Sequence, residues 1–139
     1  MSKSTIFIIC LALGLFCLTA VAGAMPADTM QTIKLDEQNN GKTITVNQFD
    51  LVEINLAGNP TTGYIWQITG FNPEIVTFQD HQYQSTTNMP GSGGTDTFII
   101  KAASQGTCQL TIVQSRPWEN SGPIAVFNVT ITVNPSGST

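Results

Sequence analysis

The chain has 139 residues, with five basic side chains, nine acidic ones and a single histidine. A formal net charge of −4, without any basic stripe, argues against nucleic acid or an anionic membrane as a partner, because both select clustered Lys and Arg. Charge alone selects no positive function, since solubility explains it equally well.

From the N-terminus, Lys3 precedes an apolar run over residues 6–18, and Ala20-Val21-Ala22 and Ala22-Gly23-Ala24 both fit a signal-peptidase site. A run that short, backed by small residues and lacking a stop-transfer flank, reads as a secretory signal peptide over residues 1–24. Export to a periplasm or the medium is expected, with no membrane association after cleavage. Residues 25–139 then form one domain, with loose ends at about 25–30 and 134–139. Cys10 and Cys17 leave with the leader, so Cys108 stands alone and the domain holds no internal disulfide. Stability must come from packing.

The rest of the chain alternates in period two, as half-buried strands do. Short candidates run over residues 32–35 and 43–46. Val52, Ile54 and Leu56 then alternate with Glu53 and Asn55, and Tyr64, Trp66 and Ile68 share one face. A short run follows at residues 75–78. Phe98, Ile100 and Ala102 share a face, as do Cys108, Leu110 and Ile112. The longest run places Ala125, Phe127, Val129, Ile131 and Val133 on one side. Thr, Val, Ile and aromatic residues fill these runs, while Gly, Pro and Asn punctuate them. Seven to eight short strands predict an all-β, immunoglobulin-like antiparallel β-sandwich, with a closed barrel as the competing all-β answer.

If successive strands reverse direction, the connections at residues 57–63, 84–94 and 115–123 lie at one end. Those at 70–73 and 103–106 lie at the other. Loops clustered at one end of a rigid sandwich form a binding platform. The first loop reads Asn59-Pro60-Thr61-Thr62-Gly63-Tyr64, in which Pro60 fixes its own φ and Gly63 can take a positive one. A stiff turn with two hydroxyls at its tip is expected, and an ordinary turn is the plain alternative. The second loop ends in Pro90-Gly91-Ser92-Gly93-Gly94, whose glycines leave backbone groups open to a partner or simply keep the segment mobile. The third reads Arg116-Pro117-Trp118-Glu119. Trp and Arg are the residue types that most often carry binding energy. Alternatively, Trp118 folds over the sandwich rim and Arg116 pairs with Glu119.

Catalysis finds little support. His81 and Cys108 are formally a His–Cys pair, but Cys108 falls on the inward face of its strand as a small hydrophobe, and His81 lies in a polar stretch as a solvated side chain. Metal ligands in a suitable set are lacking, and no cofactor is called for. Asn128-Val129-Thr130 matches a glycosylation sequon in mid-strand, which is weak by itself.

The Asn-Pro-Thr-Thr-Gly-Tyr motif at residues 59–64, Gly91-Ser92-Gly93-Gly94, and Arg116-Pro117-Trp118, in that order and spacing, resemble the chagasin family of inhibitors of papain-like cysteine peptidases. The similarity spans essentially the whole domain over residues 25–139. It implies an immunoglobulin-like sandwich that blocks these enzymes reversibly, without catalysing anything, and a monomeric chain whose partner is the protease. Thr61 and Thr62 are then implied to wedge at the protease's catalytic Cys and His. Gly91, Gly93 and Gly94 are implied to follow the non-primed subsites through main-chain contacts, and Arg116 and Trp118 to grip the primed side. Asn59, Pro60, Gly63, Tyr64 and Pro117 complete the implied protease-binding set. A secreted adhesion or carbohydrate-binding module using the same loops is the alternative, since Trp118 would also stack on a sugar.

Overall fold

The computed structural model describes residues 30–136, so the signal peptide expected at residues 1–24 lies outside the described residues. Eight strands form: β1 (Thr32–Leu35), β2 (Thr43–Asn47), β3 (Leu51–Gly58), β4 (Ile65–Gly70), β5 (Val76–Ser85), β6 (Gly94–Ala102), β7 (Gly106–Ser115) and β8 (Ala125–Asn134). They pack as two four-stranded sheets, ordered β1-β3-β6-β5 and β2-β8-β7-β4.

The alternating residues supply the core between the sheets. Val52, Ile54 and Leu56 of β3 and Phe98, Ile100 and Ala102 of β6 face Leu110 and Ile112 of β7 and Phe127, Val129, Ile131 and Val133 of β8, all buried. Burial of this apolar surface is the main favourable term holding the sheets together. Because side chains alternate at period two, slipping either sheet by one residue would turn this set into solvent, so the core fixes the register.

The sandwich is mostly antiparallel, with two departures. β1 pairs in parallel with β3, and β2 in parallel with β8. Residues 36–42 carry the chain from one sheet to the other between these two edge strands. Alternation reveals which face a strand buries but not which neighbour it pairs with, so the sequence cannot show this.

Two runs are longer than the sequence pattern indicates. β5 continues to Ser85 although only its first residue is buried, and it carries a register shift between Phe78 and Asp80. It is an edge strand with a mostly solvated surface, so the alternation has no buried face to mark. β8 extends through Asn134, which pairs with Asn47 and accepts from Gln48 N at 2.8 Å, so the ordered strand reaches into the expected loose tail.

Cys108 is buried, and its Sγ accepts from Asn72 N at 3.1 Å. His81 is not simply solvated. It stacks on Phe98 with ring centroids 4.1 Å apart, and its Nε2 lies 2.7 Å from Oδ1 of the buried Asp96. Asp96 of β6 pairs with Leu56 of β3, close to the base of the first loop. The two residues considered as a His–Cys pair thus lie in different sheets with different partners.

Candidate functional site: three joined loops at one end

The antiparallel pairings of β3 and β5 with β6, and of β4 and β8 with β7, fix strand directions within each sheet. Direct contacts between the loops place the β3–β4, β5–β6 and β7–β8 connections at one end. Asn59 Nδ2 donates to Gly91 O at 2.9 Å, and Arg116 Nε donates to Thr62 O at 3.0 Å. The central loop is bonded to both of its neighbours.

The central loop is a single 3-10 turn over Pro60–Thr62. Asn59 has extended backbone angles and caps it, Pro60 supplies the first turn position, and Gly63 closes it in the left-handed region at φ 86. Gly63 N donates to Pro60 O at 2.9 Å. Neither hydroxyl at the tip is idle. Thr61 Oγ1 donates to Asn59 Oδ1 at 2.5 Å, and Thr62 Oγ1 donates to Asn59 O at 2.7 Å. Both threonines remain exposed, and with each proton engaged within the turn they offer a partner acceptor capacity only, Thr62 Oγ1 less of it because it also accepts from Tyr64 N at 3.3 Å. Below the turn, Trp66 Nε1 donates to Ala57 O at 2.9 Å and braces the end of β3.

The second loop is an ordered hairpin. Ser92 N donates to Met89 O at 3.3 Å across Pro90 and Gly91, and Gly91 has φ 79, the geometry of a type II turn. Hydroxyls stiffen the stem: Ser85 Oγ donates to Thr87 O at 2.6 Å, and Thr87 Oγ1 bonds Ser92 Oγ at 2.6 Å. The glycines divide into two kinds. Gly91 is exposed with open space around it, whereas a side chain on Gly94 would collide with the Gln84 carbonyl. Gly93, at φ 82, lies against Gly58 O and Asn59. The hairpin uses all three, Gly91 through its positive φ, but Gly91 alone has open space around it and is the glycine freest to meet a partner.

In the third loop, Pro117 sits inside a turn closed by Glu119 N donating to Arg116 O at 3.0 Å. The Arg116 guanidinium lies 4.3 Å from the centroid of the Tyr64 ring, and its Nη1 bonds Glu119 Oε1 at 3.1 Å. The Arg116–Glu119 pairing weighed from the sequence is therefore present. Trp118 does not fold over the rim: it is 70% exposed, and the edge of its indole covers Gly63, where an added Cβ would lie 2.6 Å from Cη2.

Met89, at the hairpin tip, is 72% exposed and was not singled out from the sequence. A large apolar residue beside a proline in a hydrophilic loop is the same signal that marks Trp118.

The chain matches the family model "Chagasin family peptidase inhibitor I42" over residues 45–133. It is 34% identical to chagasin of Trypanosoma cruzi over 95 residues, 65% of this chain and 84% of that one. Its identity to amoebiasin-1 of Entamoeba histolytica is 31% over 101 residues, 73% of this chain and 99% of that protein. In fold it resembles the crystal structure of the cysteine protease inhibitor EhICP2 from Entamoeba histolytica, with a TM-score of 0.70, 23% identity, and coverage of 78% of this chain and 100% of that one. A matched region that takes in most of the sandwich and all three joined loops leaves one assignment: this chain belongs to the chagasin family of peptidase inhibitors.

Proposed function

We infer that the protein is a reversible, tight-binding inhibitor of papain-like cysteine proteases that fills the active-site cleft with three loops from one end of the sandwich. The observation that carries the reading is the physical union of the loops, through Asn59 to Gly91 and Thr62 to Arg116. A cleft built for extended peptides needs a long, narrow occupant. A central turn flanked by two arms has that shape, and it reaches the enzyme already ordered. Preorganisation lowers the entropy lost on binding, which a free peptide would meet in full.

Within this reading Thr61 and Thr62 form the wedge, with Pro60 and Gly63 setting its shape. Gly91 lends main-chain groups on one side. Trp118 is the apolar anchor on the other, steadied by Arg116, Pro117 and Tyr64. The exposed large hydrophobic residues at this end, Met89 and Trp118, fit a surface that becomes buried in a complex. An interface of about 1,600 Å² in total and a dissociation constant around nanomolar or below are expected from anchors of this type. Family membership sets aside the adhesion or carbohydrate-binding alternative, and the family is one of inhibitors rather than enzymes. The apolar leader over residues 1–24 supports export, hence action outside the cytoplasm.

The test is a titration of active papain with protein lacking residues 1–24. One equivalent abolishes hydrolysis of a small fluorogenic peptide, and activity returns on extensive dilution with the inhibitor chain intact. Papain that stays active in a large excess of protein refutes the reading.

A further inference from the structure

We propose that Asn59 is a positioning residue that couples the central wedge to the glycine hairpin, making two of the three loops one mechanical unit. The proposal rests on the inhibitory reading above. One short side chain serves both loops. Its Oδ1 accepts from Thr61 N at 3.2 Å and from Thr61 Oγ1 at 2.5 Å, which caps the 3-10 turn. Its Nδ2 donates to Gly91 O at 2.9 Å, across a separation of 32 residues. The partners themselves fix the orientation of the amide. A backbone N–H only donates and a carbonyl only accepts, so reversing the amide loses both bonds.

Among common side chains this double duty is specific to Asn. Asp keeps the capping acceptor but sets a second oxygen against the Gly91 carbonyl. Ser and Thr cap turns but lack a further donor with that reach. The space beside Gly91 is open, with nothing within 4 Å of where its Cβ would be. The hairpin stem touches the wedge base at Gly93, where an added side chain would meet Gly58 O at 3.3 Å. The tip is therefore tied to the wedge through Asn59.

This role has a kinetic signature that a direct contact lacks. Once the tie is lost, the hairpin samples conformations that do not fit the cleft, and the binding-competent fraction falls. Apparent affinity falls by that fraction and appears as slower association, because the protease holds the hairpin once the complex has formed. A lost direct contact appears mainly as faster dissociation.

The experiment compares wild type and Asn59→Asp against papain by progress-curve kinetics, in the natural hairpin and in one where residues 87–92 are replaced by an Asn-Gly turn. In the natural hairpin N59D raises the inhibition constant about three- to tenfold, the range of one hydrogen bond, mostly through association. In the shortened hairpin the same substitution changes it less than twofold. In the free protein, amide exchange at Ser92 accelerates in N59D while the thermal midpoint stays within a few degrees. An equal loss in both hairpins, or a loss confined to dissociation, makes Asn59 a direct contact and overturns the proposal. So does N59D behaving as wild type throughout. Failure of the wild type to inhibit papain would overturn the inhibitory reading itself, and the coupling role with it.

Discussion

Gly63→Ala probes the stiffness of the wedge, because two independent constraints meet at one α-carbon. The first is conformational: Gly63 closes the turn at φ 86, where an L-residue with a Cβ costs roughly 1–2 kcal/mol. The second is steric. The new methyl would lie 2.6 Å from Trp118 Cη2 and 2.8 Å from Cζ2, against about 3.5–4 Å for an ordinary carbon contact, so the indole must retreat by about 1 Å. Trp118 is largely exposed and can move, so the stability loss comes mainly from the backbone. For a domain of this size the thermal midpoint should fall by roughly 5 °C or more. Inhibition should weaken about tenfold, because the displaced Trp is the proposed anchor and such anchors are worth about 2 kcal/mol or more. The assay pairs thermal unfolding with papain inhibition, in wild-type and Trp118→Ala backgrounds. Without Trp118, the stability loss persists and the inhibitory loss shrinks. A Gly63→Ala protein that keeps both its midpoint and its inhibition constant within twofold would refute the two-constraint argument.

Other outcomes follow from the same geometry. Trp118→Ala should raise the inhibition constant at least tenfold with little change in stability, since the indole is mostly solvated; a change under twofold removes it as an anchor. In protein lacking residues 1–24, the buried Cys108 thiol should react with a thiol reagent only as fast as the domain unfolds. Cys108→Ala should cost roughly 1–2 kcal/mol in denaturant unfolding, because it leaves a small cavity and strips Asn72 N of its acceptor, without altering inhibition. Asn128 should carry no glycan when the protein is made in a glycosylating host, as mass measurement would show. Its Oδ1 accepts from Thr111 Oγ1 at 2.6 Å, and it sits within β8 directly opposite Thr111 of β7.

How far the sequence could be read depends on what each signal reports. Alternation reports burial, so the core faces of β3, β6, β7 and β8 were legible residue by residue. It is silent where a strand buries little, which is why β5 beyond Phe78 looked like loop. It is silent about pairing as well, so β1 and β2 were legible as short strands but their parallel pairing with β3 and β8 was not. Loop motifs fixed which residues crowd one end, since strand reversal needs only a count. They did not show how the loops connect. Asn59 and Arg116 make their decisive bonds between loops, and no local pattern encodes a partner that is distant in the chain, whereas the Arg116–Glu119 pair, three residues apart, was legible. His81 shows the same limit: its neighbours in sequence are polar, but its stacking partner Phe98 and hydrogen-bond partner Asp96 come from the adjacent strand.

Hydrogen–deuterium exchange on the complex with papain tests most directly whether this end of the sandwich is the inhibitory surface. Exchange should slow at residues 59–63, 86–93 and 116–123, and stay unchanged at 71–75 and 103–105 on the far end. Protection that falls on the far end, or on a sheet face with the three loops still exchanging freely, would contradict it.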